Sequence, residues 1–190
     1  MIIAMEHNKE KELSEFIQTT NVNGLITGIV FLCIGLFSLL GFNESDAETG
    51  ILICFGMSIL GVGTIVPWCI GRNRARRSIA RLKTSGKMDK ALSDFENGER
   101  LFDCGLIVGE YFLISQKAQV ALEYSEIRQI YQVITRKGGM ERYRDLVMIT
   151  TNGRKLNIAD LRRKGGSDQE LKKFLIYVLI KNPAVKIGIR

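Results

Sequence analysis

Two stretches of this chain carry no charge, and both are long enough to cross a bilayer. Residues 24–42 read GLITGIVFLCIGLFSLLGF and residues 50–71 read GILICFGMSILGVGTIVPWCIG. At about 1.5 Å per helical residue they reach roughly 28 and 33 Å, against a hydrocarbon core of about 30 Å. Leu, Ile, Val and Phe supply twelve residues of the first and ten of the second. Insertion is then favoured by roughly 3 to 7 kcal/mol each. A helix of that length in a soluble bundle needs a polar stripe, and neither stretch has one. A cleaved signal would start basic, whereas residues 1–23 carry four Glu against Lys9 and Lys11. Both stretches are therefore expected as retained transmembrane helices, residues 43–49 as an external loop, and residues 1–23 as a cytoplasmic tail.

Charge gives the orientation. The loop NESDAET holds Glu44, Asp46 and Glu48 and no base, while residues 71–83, GRNRARRSIARLK, hold Arg72, Arg74, Arg76, Arg77, Arg81 and Lys83 and no acid. Bases in short flanks resist translocation, so the loop is expected outside and both termini in the cytoplasm of a multi-pass plasma-membrane protein. Residues 72–190 hold 25 bases against 13 acids, which accounts for the positive sign of the net charge of +7. If the second span continues as a helix, Arg74, Arg77 and Arg81 share one face while Ala75, Ile79 and Leu82 share another. That face suits anionic headgroups, at about 1 kcal/mol per base near the surface. Trp68 suits the same interfacial depth. No aromatic residues are interleaved with these bases for stacking, which argues against nucleic acid as the partner.

Within the spans there is no Asp, Glu, Lys, Arg or His, and proton relays and ion sites are built from such residues. Gly24 and Gly28 form a GxxxG, while Gly28 with Gly35 and Gly56 with Gly63 lie seven apart, so each pair lies nearly on one helical face. Small residues at that spacing let helices approach, within one hairpin or in a homo-oligomer. Pro67 removes a backbone donor and is expected to bend the second span. An alternative reading follows from the small polar residues Thr27, Ser38, Ser58 and Thr64: an oligomeric small pore, or an accessory subunit of a membrane transport complex. Cys33, Cys54, Cys69 and Cys104 lack paired spacing and read as small apolar residues.

After a basic juxtamembrane segment and connector over residues 72–98, the pattern changes. Met88, Leu92 and Phe95 predict a short helix stopped by Asn97 and Gly98. Strand-like runs follow at residues 100–104, 110–115, 118–124, 127–137, 144–151 and 154–160. Gly138 and Gly139, and then Asn152 and Gly153, supply turns between them, so an antiparallel meander is expected. Ser167 and Glu170 make a capping box for a helix whose apolar stripe is Leu171, Phe174, Leu175, Val178 and Leu179. Asn182 and Pro183 end it. Ile176 and Ile180 fall off that stripe and are candidates for a protein interface.

Six strands in a meander closed by one C-terminal helix resemble the pleckstrin-homology-like (PH-like) domain, in particular that of small bacterial two-span membrane proteins. LFDCGLIVGEYFLIS, LEYSEIRQIYQV, LVMITTNGRKLNI and LKKFLIYVLIKNPAVKIG carry the resemblance, over about residues 99–188 of an expected cytoplasmic domain at residues 99–190. It implies an α+β membrane protein: a transmembrane helical hairpin, then a cytoplasmic PH-like antiparallel β-barrel or meander capped by a helix. It further implies a membrane-anchored interaction or assembly module, often oligomeric, without catalysis. Phosphoinositide-binding PH domains place bases between their first two strands, where DCGLIVGEYF has none. Bases stand instead at Arg136, Lys137, Arg142 and Arg144, and at Arg162, Arg163 and Lys164. The only histidine, His7, lies in the N-terminal segment, and no P-loop, G-x-S-x-G or H-x-x-x-H pattern occurs. No enzymatic activity, cofactor or metal is expected.

Overall fold

The computed structural model describes residues 2–18, 22–41, 47–137, 140–161 and 168–189. The chain is α+β and divides into two compact units, one of Met1–Gln18 with Ala75–Arg190 and the other of Thr19–Arg74. The elements run α1 (Ile2–Gln18), α2 (Val22–Gly41), α3 (Ala47–Thr84), α4 (Met88–Asn97), β1 (Glu99–Leu101), β2 (Leu106–Val108), β3 (Phe112–Ser115) and β4 (Val120–Glu123). After a 3-10 turn, Tyr124–Glu126, come β5 (Ile127–Lys137), β6 (Met140–Thr150), β7 (Lys155–Asp160), α5 (Asp168–Lys181) and β8 (Lys186–Ile189).

In the larger unit the strands form two four-stranded sheets and not one six-strand meander. The first is the antiparallel sheet β1-β2-β3-β4; the second has the order β7-β6-β5-β8, antiparallel except for the parallel pair β5 and β8. Alternation along β2, β3 and β4 explains why both faces of the first sheet are apolar. Leu106, Val108, Leu113, Val120 and Leu122 point into one core, together with Ile130, Leu146, Met148, Leu156 and Ile158 of the second sheet. Phe174 and Val178 of α5 close that core. Ile107, Phe112, Ile114 and Ala121 point the other way, into a second core built with α1, α4 and the end of α3.

That second core corrects the expectation of an N-terminal tail. Residues 2–18 form α1, with Leu13 and Ile17 fully buried. Phe16 sits 5.4 Å from Phe95, and Lys9 pairs with Glu96 at 2.6 Å. Burying Leu13 and Ile17 contributes about 1.5 to 3 kcal/mol each. The expected domain start at residue 99 is likewise displaced, because α1, α4 and the end of α3 complete the sheet's packing.

Other boundaries moved for local reasons. The first strand ends at Leu101 because Phe102, Asp103 and Cys104 take positive φ of 52°, 55° and 63°. The turn brings Phe102 against Phe174, with ring centroids 6.1 Å apart. The expected stripe of α5 loses Leu179, which is exposed. Asn182 does end α5, and its Nδ2 donates to the carbonyls of Tyr124 (2.7 Å) and Ile127 (2.9 Å), pinning the link between the sheets. The glycine turn at 138–139, the basic group 162–164, Ser167 and most of the loop 43–49 lie outside the described residues.

Candidate functional site

In the smaller unit, α2 runs antiparallel to the first part of α3, and glycines set the approach. A Cβ on Gly28 would lie 2.5 Å from Thr64 Oγ1, one on Gly35 3.2 Å from the Cys54 carbonyl oxygen, and one on Gly61 2.7 Å from Leu32 Cγ. Gly61 carried no sequence signal, since its partner is on the other helix. Gly56 and Gly63 face open space. The surroundings of Gly24 lie outside the described residues. Thr64 and Ser38 donate to carbonyls of their own helices, Gly61 at 2.9 Å and Gly35 at 2.7 Å. The outward surface is aliphatic and aromatic, including Ile26, Phe37, Leu52, Phe55, Ile59 and Ile70. Among the described residues one helix, over Glu48–Thr84, is long and apolar enough to cross a membrane, and only 11% of its apolar window is buried. The helix continues through Pro67.

Six bases follow, and the structure divides them. Arg72 lies over the Trp68 ring, 5.1 Å from its centroid. Arg74, Arg76 and Arg77 are exposed, and among the described residues they have no ion-pair partner. Arg81 and Lys83 are used within the larger unit. Arg81 pairs with Glu126 and donates from Nη2 to the Ala121 carbonyl at 2.7 Å; Lys83 pairs with Glu10 at 2.7 Å. One helical turn before Arg81, Ser78 Oγ accepts from the Ala121 N–H at 2.9 Å. Ala121 belongs to β4, an edge of the first sheet, so Ser78 and Arg81 satisfy an edge that would otherwise invite pairing. Glu126 also closes a capping box with Glu123, which pairs with Lys87 at 2.6 Å. These two acids are therefore occupied by structural contacts.

A buried polar knot holds the turn between β2 and β3. Asp94 of α4, 3% exposed, accepts from the backbone N–H groups of Glu110 (2.8 Å), Tyr111 (2.7 Å) and Phe112 (2.6 Å). Gly109 makes room, since a Cβ there would lie 2.3 Å from Asp94 Cβ and Cγ. The Tyr124 and Tyr177 hydroxyls both donate to the Gly109 carbonyl, at 2.7 and 3.1 Å. Burial raises the Tyr124 hydroxyl well above the usual phenol range, and Tyr177 and Asp94 beside it add to the rise. Tyr177 is raised in the same direction, first by desolvation and then by Asp94, Glu110 and Glu99. One of two Asp in a short amphipathic helix, Asp94 carries no sequence sign of this role.

On the second sheet's helix, Ile176 and Ile180 are exposed, joined by Leu179. Among the described residues no group of His, Cys, Asp or Glu is placed to hold a metal ion. No protein-family model, curated protein or solved structure matches the chain.

Proposed function

We propose that this chain is a membrane-anchored, non-catalytic interaction module of a bacterial plasma membrane. In this reading α2 and the apolar part of α3 form a transmembrane helical hairpin, and the larger unit is a PH-like domain at the cytoplasmic face. The observation that carries the reading is connectivity. The larger unit takes α1 from before α2 and everything from Ala75 onward from after the smaller unit. A folded body lies on one side of a membrane, so the chain between its two parts must cross an even number of times. If α3 spans, α2 must span as well. The free bases Arg74, Arg76 and Arg77 at the end of the apolar run then put that body in the cytoplasm, with their side chains at the headgroups.

Support for the PH-like reading is element order: four antiparallel strands, three more, then a helix closing the core between the sheets. Two features depart from it, the parallel strand β8 after the helix and the helical cover on the outer face of the first sheet. The mechanism is effective concentration, since anchoring confines the domain to the surface where its partner sits. A second reading, self-association of the hairpin, is favoured by Gly56 and Gly63, whose open face lets another helix approach closely. The pore or transport-subunit alternative would build on that contact.

Topology tests the first reading. In a chain freed of its four cysteines, Glu48→Cys should react with an impermeant maleimide on intact cells. Gln169→Cys should react only after lysis. Labelling of both from the same side would end the two-span reading.

A further inference from the structure

We infer that the outward face of α5 docks on an anionic lipid bilayer, an inference that rests on the membrane-anchored reading above. In the larger unit the exposed large hydrophobic side chains gather here: Ile176 at 59%, Ile180 at 70% and Leu179 at 38%. Ile187 of β8, 41% exposed, is in register with Ile130, which points into the core that α5 covers. Ile187 therefore emerges on the α5 side of the sheet. Among the described residues of that unit the remaining exposed one is Tyr111, over whose ring Lys90 Nζ lies 4.7 Å from the centroid.

Charge selects the occupant. Lys172 and Lys173 lie one turn before Ile176, and Lys181 follows Ile180 with its Nζ 5.7 Å from the Tyr177 ring centroid. Lys173 pairs with Glu99. The acids of α5 are confined to its first turn. There Asp168 pairs with Arg144 at 2.9 Å and Glu170 accepts from the Phe102 N–H. Past that turn the exposed residues of the helix are aliphatic or basic: Lys172, Lys173, Ile176, Leu179, Ile180 and Lys181. A two-fold contact with a second copy would set Lys172 and Lys181 against a surface of the same sign. A bilayer with anionic headgroups accepts both parts, with isoleucines at the acyl boundary and ammonium groups reaching back to phosphates. Anchoring lets even a weak surface of this size stay engaged.

The chain has one tryptophan, so Trp68→Phe combined with Ile180→Trp makes the introduced indole the sole reporter. The full chain is reconstituted in liposomes of phosphatidylcholine with phosphatidylglycerol, and in phosphatidylcholine alone. In the anionic vesicles the indole should emit blue-shifted and be quenched by brominated acyl chains. Adding Lys172→Glu and Lys181→Glu should lower the docked-to-undocked ratio roughly 25-fold or more, from about fivefold per base. Equal, water-like emission in both vesicles would overturn the inference. So would a blue shift without bromine quenching that fades as protein is diluted in lipid, since that marks a second copy. Ile176→Trp repeats the measurement if Ile180→Trp lowers the unfolding midpoint. Carbonate extraction separates the two claims: release of the chain ends the anchored reading, while a retained chain with a wet indole ends only the docking.

Discussion

Replacing Asp94 should unfold the larger unit more readily than any surface change, and the cost follows from its three donors. Glu110 donates to Oδ1, and Tyr111 and Phe112 donate to Oδ2. Hydrogen bonds to a charged acceptor contribute about 1.5 to 3 kcal/mol each, and a buried donor left unpaired costs about 1 to 3. In Asp94→Asn one oxygen serves at most two of the donors, now without charge, and the amide NH₂ faces the third. The expected loss is about 3 to 4 kcal/mol. Asp94→Ala leaves all three unpaired and adds a small void, for about 4 to 5 kcal/mol, near the ceiling for single changes because the effects do not sum fully. For a unit of this size each kcal/mol moves the midpoint by roughly 3 to 5 °C, so the midpoint of Asp94→Asn should fall by about 9 to 20 °C. Thermal unfolding of the full chain in mild detergent, followed by near-ultraviolet dichroism, reads this directly. A loss under about 1 kcal/mol for Asp94→Asn, or no difference between Asn and Ala, would refute the idea that the carboxylate clamps the turn.

Three more outcomes test other parts of the structure. Leu13→Ala and Ile17→Ala should each cost about 2 to 4 kcal/mol in urea unfolding of the full chain, because both side chains are fully buried; a tail would show no effect. Above pH about 10 an unfolded tyrosine ionises while Tyr124 stays neutral, so its contribution is complete below that pH and declines above it by about 1.4 kcal/mol per unit. Tyr124→Phe should flatten the alkaline arm of the stability profile, and an unchanged slope would contradict that origin. Gly61→Leu should lower the aggregation temperature in mild detergent by pushing α2 away, whereas Gly63→Leu, which faces open space, should leave the monomer's value within about 2 °C.

The sequence made α4, β5, β7 and most of α5 legible because each buries one face, so the period survives. It failed where two faces are covered. In LFDCGLIVGEYFLIS the strand cores Leu106–Val108 and Phe112–Ile114 are unbroken apolar runs, so period-2 alternation vanishes and β2 does not stand out between two overlong expected strands. The cause of that failure, a helical layer on the outer face, was itself illegible. In α1, Leu13, Phe16 and Ile17 are an i, i+3, i+4 set too short to stand out among four Glu. Of the basic segment the sequence showed the charge but not its division, because Glu126, Glu10 and the Ala121 carbonyl are remote in sequence from Arg81 and Lys83.

Both omissions bear on function. If α1 is a tail, the two apolar stretches are independent of each other, and among the described residues only α3 is long and apolar enough to cross a membrane. With α1 packed on Ile107, Phe112, Ile114 and Ala121 through a shared core, the stretches become linked. The chain leaves a folded body, traverses the smaller unit and returns to the same body. One membrane crossing would tear that core apart, and exposing its apolar residues would cost far more than a few kcal/mol. Under the membrane-anchored reading proposed above, the number of crossings is then even, for a reason independent of hydropathy and of the arginines. Synthesis order adds a constraint: α1 is made before the smaller unit, and the strands it covers are made after it. The second core therefore closes only once both apolar stretches have left the ribosome, and until then Leu13 and Ile17 have no partner in the chain.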